Sequence, residues 1–217
     1  MNNDTVIVAP RPWPTRVALE AAAPAAPGTG RTENAADLTL MLMLMIARRI
    51  TSAGPAALPG KTLGLIGLGQ VGREVARRAH HGFGMRVLAY DPAAVDADEA
   101  RTLGVEVRTT MEEVLAEADF VSLHCPSEPA NVHLIDARRL GQMKASAFLI
   151  STARGPQIDQ QALVHALWFE TIAGVALDVD PADGQVMREL LACPNAILLP
   201  HEGAATREAL ALARYAV

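Results

Sequence analysis

One hexapeptide, Gly67-Leu68-Gly69-Gln70-Val71-Gly72, limits what this chain can fold into more than any other feature. It follows a short apolar run, Leu63 to Ile66, and opens a helical pattern, Val71 to His80. A glycine triad carries information only in that strand-to-helix context. There Gly67 permits a tight turn, Gly69 lets backbone approach a pyrophosphate, and Gly72 lets the helix pack close to the strand. The first helical amides, at Gln70 and Val71, then face the phosphates without help from a cationic side chain. Nineteen residues beyond Gly72, at the end of the next apolar run, stands Asp91. A carboxylate at that point accepts hydrogen bonds from ribose hydroxyls and repels the extra phosphate of NADP. The motif therefore predicts a dinucleotide site with a preference for NAD.

The rest of the sequence supplies the sheet this loop requires. Leu63 to Ile66, Arg86 to Tyr90, Phe120 to His124, Phe148 to Ser151, Gly174 to Leu177 and Ile197 to Leu199 read as strands buried on both faces. Helical candidates alternate with them: Val71 to His80, Met111 to Ala116, Asp136 to Met143, Gln160 to Glu170 and Arg207 to Tyr215. This alternation predicts an α/β fold, a doubly wound parallel sheet of the Rossmann type. Ahead of it a helix is predicted from Thr32, with Thr32 as its cap, and apolar on nearly every face from Leu38 to Ile46. Such a helix is buried all round, inside the domain or against a second subunit. Residues 1–31 hold one strand-like run, Thr5 to Val8, and then five prolines between Pro10 and Pro27. The sequence thus divides into a short N-terminal arm, 1–31, and a nucleotide-binding domain, 32–217.

Composition excludes some functions. At 217 residues the chain can bury a full core, and its net charge of −5, with no clustered basic surface, argues against a nucleic-acid partner. The most apolar run, Leu38 to Ala47, has about half the length of a bilayer span, so no membrane role is expected. Cys125 and Cys193 sit in apolar contexts without metal-ligand spacing, which predicts buried thiols and a cytoplasmic location.

Beyond the glycine loop, the segments GKTLGLIGLGQVG, DFVSLHCP, STARG, IAGVALDV and LPHEGAAT together resemble the D-isomer-specific 2-hydroxyacid dehydrogenases, over about Thr32 to Thr206. In that family hydride passes between a 2-hydroxy or 2-oxo acid and the nicotinamide. The resemblance makes Arg154 the residue that grips the substrate carboxylate, a task suited to the rigid guanidinium fork. It makes His201 the acid/base, a role suited to imidazole, whose unperturbed pKa lies near neutrality. A glutamate usually supports that histidine; here Asp183 stands in its place, shorter by one methylene. For the cofactor, the resemblance implies His124 and Pro126 beside the adenine, Thr152 and Ala153 near the nicotinamide ribose, Asp178 on the carboxamide, and Gly203 beside His201. A strand-end helix cap is the other reading of Asp178. No metal is implied. His80, His81, His133 and His165 match no catalytic position and read as surface or helix residues.

Members of that family carry about a hundred residues before the long apolar helix, forming a lobe that closes over the nicotinamide, where this sequence has 31. Their dimers form through the same helix, so a homodimer through Leu38 to Ile46 is expected. Trp168 and Phe169 stand at a helix end, either covering surface or packing as ordinary helix-terminal aromatics. Two functions remain open on the sequence: an NAD-dependent oxidoreductase acting on a small 2-hydroxy or 2-oxo acid, and a catalytically impaired or repurposed NAD-binding protein.

Overall fold

A computed structural model describes residues 30–48, 56–93, 95–153, 156–179 and 187–200. Seven strands form one sheet: β1 (Thr62–Ile66), β2 (Arg86–Tyr90), β3 (Val105–Val107), β4 (Phe120–Leu123), β5 (Phe148–Ser151), β6 (Gly174–Val179) and β7 (Ala196–Pro200). Their spatial order is β3-β2-β1-β4-β5-β6-β7, and every pairing is parallel. The chain winds outward from β1 to β3, then returns to lay β4 against the other side of β1. That reversal opens a crevice at the carboxyl ends of β1 and β4, where open α/β sheets bind ligands.

Parallel strands need crossover helices, and these cover both faces of the sheet. One face carries α1 (Gly30–Arg48), packed beside α2 (Gln70–Arg77) and over β5 and β6. The other carries α4 (Met111–Glu117), α5 (Ala137–Leu140), α6 (Gln160–Trp168) and α7 (Met187–Leu191). With both faces covered, β1, β4 and β5 are buried at every position, as their near-continuous apolar runs predict. Aromatic stacking of Phe120 on Phe148, ring centroids 5.3 Å apart, ties β4 to β5. Asp119, just ahead of β4, accepts from Thr62 N at 2.9 Å and from Lys144 Nζ at 3.0 Å, so it fastens the start of β1 to β4.

Several local expectations need correction. The first helix begins at Gly30, so Thr32 lies in its first turn and is not its cap; the Thr32 hydroxyl donates to Gln70 Oε1 at 3.4 Å. Within the single chain that helix is not buried all round, so burial inside the domain does not hold and burial against a second subunit stays open. Glu33, Asp37, Met41, Leu44 and Arg48, spaced three or four apart, form an exposed stripe, while Leu42, Met43 and Ile46 are fully enclosed. After Arg77 the second helix widens into a π-helical turn, Arg78–Gly82. Helix α3 (Ala97–Leu103) and strand β3 leave no periodic signal in the sequence, because α3 is rich in charge and buries only Ala100, while β3 is a three-residue edge with one buried position. Helix α7, only five residues long, is likewise too short to show a helical period in the sequence. The expected elements Thr5 to Val8 and Arg207 to Tyr215 lie outside the described residues.

Cys193 is buried as expected, but Cys125 is only half-buried. At the end of α6, Trp168 and Phe169 are 58% and 70% exposed in the single chain. Because α6 leaves the carboxyl end of β5 and returns to the start of β6, they lie at the edge of the sheet opposite the glycine loop. His133 and His165 are exposed, the latter with its ring tilted against Phe169, centroids 4.2 Å apart; His81 is exposed and His80 half-buried, its Nδ1 3.3 Å from Met85 O. Among the described residues, no helix is long and apolar enough to cross a membrane.

Candidate cofactor site

The crevice at the sheet's reversal is built by three segments. The first leaves β1. Gly67 takes φ +99°, in the left-handed region, and donates its N–H to Tyr90 O at 2.8 Å. A β-carbon there would lie 2.8 Å from the carbonyl of His124, so the turn has both the wrong backbone angle and too little room for any side chain. A β-carbon on Gly72 would lie 2.4 Å from Gly67 O, which shows how closely α2 is pressed onto the turn. Gly69 differs from both: a β-carbon on it would meet nothing within 4 Å, because this glycine faces open space. Two glycines are thus demanded by the protein's own packing. The third leaves a cradle that a side chain would fill, which is the fit a pyrophosphate requires. Helix α2 starts at Gln70 with Gly69 as its cap, and Arg73 N makes the bond to Gly69 O at 3.0 Å. Amides of a helix's first turn have no acceptor within the helix, so those of Gln70 and Val71 suit an anion.

The second segment leaves β2 and carries Asp91. Its Oδ2 accepts from Leu68 N at 2.7 Å and its Oδ1 from Ala93 N at 2.8 Å. The carboxylate is therefore held against the glycine loop by the protein's own amides. Arg73 reinforces the same corner, donating from Nε to Leu68 O at 3.0 Å and pairing with Glu99 of α3 at 3.0 Å. Nothing in the motif pointed to Arg73, whose role comes from the fold of α3 beside α2.

The third segment leaves β4. His124 N donates to Ile66 O at 2.8 Å, and the ring Nε2 lies 2.9 Å from Ser122 Oγ. Burial of the ring pushes its pKa down to about 4, so the imidazole is neutral at pH 7. Burial likewise raises the Cys125 thiol, and the nearby Asp91 carboxylate raises it further. Pro126 is exposed, and its carbonyl accepts from Asn131 Nδ2 at 2.9 Å.

Farther along the sheet, Thr152 and Ala153 follow β5. Buried Thr39 of α1 commits its hydroxyl proton to Ala35 O at 2.8 Å, so in its 3.2 Å contact with Thr152 Oγ1 it is Thr152 that donates. The contact anchors the end of β5 to α1. Ala153 N donates to Ser151 Oγ at 3.3 Å. Asp178 lies inside β6 opposite Leu199 of β7 and is buried. The structure thus groups Gly67, Gly69, Gln70, Val71, Gly72, Asp91, His124 and Pro126 around one crevice. Thr152, Ala153 and Asp178 stand at the ends of the next two strands. Arg154, Asp183, His201 and Gly203 lie outside the described residues.

Comparisons with known proteins place this architecture. Residues 48–203 match the profile of the D-isomer specific 2-hydroxyacid dehydrogenase, NAD binding domain. The chain is 38% identical over 188 residues to D-3-phosphoglycerate dehydrogenase of Methanocaldococcus jannaschii, covering 80% of this chain and 36% of that protein. It is 37% identical over 191 residues to hydroxypyruvate reductase of Thermotoga maritima, covering 80% of this chain and 60% of the relative. Among solved structures, the holo form of Rhodotorula graminis D-mandelate dehydrogenase superposes with a TM-score of 0.79 at 31% identity, over 86% of this chain and 61% of that one. An NAD complex of the D-isomer specific 2-hydroxyacid dehydrogenase of Lactobacillus delbrueckii ssp. bulgaricus gives a TM-score of 0.76 at 27% identity, over 85% and 64%. The chain therefore spans less than two thirds of the length of these relatives.

Proposed function

Because the chain belongs to the D-isomer specific 2-hydroxyacid dehydrogenase family, carrying its NAD-binding domain, we propose that it serves hydride transfer between NAD(H) and a small 2-hydroxy or 2-oxo acid. The observation that supports this most directly is the crevice at β1 and β4, where Gly69 leaves room for a pyrophosphate and Asp91 is held in place for a ribose. Bound NADH supplies the hydride. This chain's residues do the rest: Gly67, Gly69 and Gly72 shape the phosphate turn, while Asp91 excludes a 2′-phosphate. Neutral His124 and Pro126 flank the adenosine side, Thr152 and Ala153 approach the nicotinamide ribose, and Asp178 holds the carboxamide. Arg154 binds the substrate carboxylate through its guanidinium fork. His201 gives a proton to the substrate oxygen in reduction and takes it back in oxidation, with Asp183 holding the imidazole. We further propose a homodimer through the exposed face of α1, where Met41 and Leu44 present 40% and 37% of their surface in the single chain.

The test is NADH fluorescence on mixing with protein, followed by glyoxylate, pyruvate or hydroxypyruvate. Loss of NADH on adding an acid, abolished in His201→Ala and Arg154→Ala, is the expected result. Binding without turnover on any acid, in the full chain, would replace the enzyme reading with that of an NAD-binding module.

A further inference from the structure

Gln157 follows the STARG segment and is almost wholly enclosed, with 2% of its surface exposed. Its backbone is fixed on one side: Ile135 N donates to Gln157 O at 2.9 Å, and Ile158 bridges Ile135 in parallel. From this anchored position the side chain reaches across to the third wall of the crevice. Its Nε2 donates to Cys125 O at 2.8 Å and to Pro126 O at 3.1 Å. The amide orientation is set by these partners, since the reverse placement would set an oxygen against two carbonyls. Its Oε1 is buried without a hydrogen-bond partner among the described residues. An apolar side chain of the same size would fill this space without that desolvated oxygen, so the two donated bonds are what the amide adds.

The segment Gln157 holds is the one facing the cofactor turn. A β-carbon on Gly67 would meet His124 C at 2.8 Å and Cys125 N at 2.9 Å, so residues 124–126 lie between the glycine turn and Gln157. Resting on the NAD-binding reading, we propose that Gln157 is a positioning residue: it clamps the carbonyls of Cys125 and Pro126 and thereby sets the wall against which the adenosine half of the cofactor lies. Asp91, proposed to read the adenosine ribose, is bonded to Leu68 of the same glycine turn that residues 124 and 125 crowd, which sets the segment at that half.

The experiment compares the full-length wild type, Gln157→Leu and Gln157→Glu for binding of NADH and of AMP. Gln157→Leu keeps the volume and removes both donors; a rise of about tenfold or more in Kd for both ligands is expected, the cost of one to two hydrogen bonds. Gln157→Glu provides a readout that a packing role would not move. At pH 8 its carboxylate opposes two carbonyls, whereas at pH 5.5 a carboxyl in so enclosed a place takes up a proton and regains one O–H donor. The ratio of its Kd to that of the wild type should therefore shrink as pH falls. Wild-type affinity in a folded Gln157→Leu, or a ratio for Gln157→Glu that does not change with pH, overturns the proposal. A wild type that binds no NADH would remove the cofactor reading and this proposal together, so the two failures are distinguishable.

Discussion

Asp91 Oδ2 accepts the N–H of Leu68 at 2.7 Å, which makes the carboxylate proposed to read the ribose also a fastener of the glycine turn. The end of β2 and the end of β1 are thereby fastened to each other by the protein's own hydrogen bond.

Removing this carboxylate has two separable effects. In Asp91→Ala, Leu68 N and Ala93 N both lose their acceptor, and hydrogen bonds to a charged group contribute about 1.5–3 kcal/mol. We expect a lower Tm and a Kd for NADH raised tenfold or more. Asp91→Asn keeps one carbonyl oxygen for Leu68, so its Tm should fall less, while ribose recognition still weakens. An Asp91→Ala variant with unchanged Tm would show that the turn holds without this bond.

The glycines should divide in the same way. Gly72→Ala drives a β-carbon to within 2.4 Å of Gly67 O, so α2 must move off the turn; stability and NADH affinity should fall together, by about 1–3 kcal/mol in unfolding free energy. Gly69→Ala places a methyl in open space at φ −71°, an angle any residue adopts, and should leave Tm unchanged while weakening NADH binding strongly. Thermal unfolding with and without NADH separates the two. If Gly69→Ala binds NADH as the wild type does, the pyrophosphate does not lie on this turn.

How much of this the sequence disclosed depends on whether an interaction is local. The turn at Gly67 was legible because one motif fixes strand, turn and helix within about a dozen residues, and the apolar runs of β1, β4 and β5 announced strands with two buried faces. Helix α3 and strand β3 were illegible because they bury only one residue each, leaving no periodicity to read. The exposed stripe of α1 was hidden for the opposite reason: Met41 and Leu44 look like core, and only the packing of α1 on α2, β5 and β6 shows which side faces outward. Gln157 and Arg73 act on segments more than 20 residues away or on a neighbouring helix, so spacing along the chain carries no sign of them. Gln157 left one clue, an amide set beside Ile158 just after a motif.

His124 should make the protein acid-sensitive at mild pH. Burial holds its folded pKa near 4, against about 6.5 in the unfolded chain, so between these values the unfolded state binds more protons. Stability is undiminished above pH 6.5 and falls as pH drops toward 4, by roughly 3 kcal/mol in all from this group. Asp119 acts lower down: burial raises its pKa, but the bonds from Thr62 and Lys144 outweigh this and leave it below the usual value. Its contribution is therefore present above about pH 3.8 and lost below. Urea unfolding of the wild type and His124→Asn from pH 7.5 to 4.5 should give a steeper decline for the wild type. Parallel curves would mean that the ring is more accessible to water than its place behind Gly67 implies.

The face of α1 provides a test of assembly that leaves the fold intact. Met41 and Leu44 are exposed in the single chain, so Met41→Lys with Leu44→Lys removes little packing, and the unfolding free energy of the isolated chain should change by no more than about 0.5 kcal/mol per site. Leu42 lies between them but faces the sheet and is fully buried, so Leu42→Ala should cost about 2–5 kcal/mol. Placing two cations at the centre of an apolar contact between copies would oppose association through both desolvation and repulsion. In sedimentation, the wild type should run as a dimer and the double lysine variant as a folded monomer. A wild type that is monomeric at high micromolar concentration, or a double variant that remains dimeric, would move the interface away from this helix and leave the Met41 and Leu44 stripe as ordinary exposed surface.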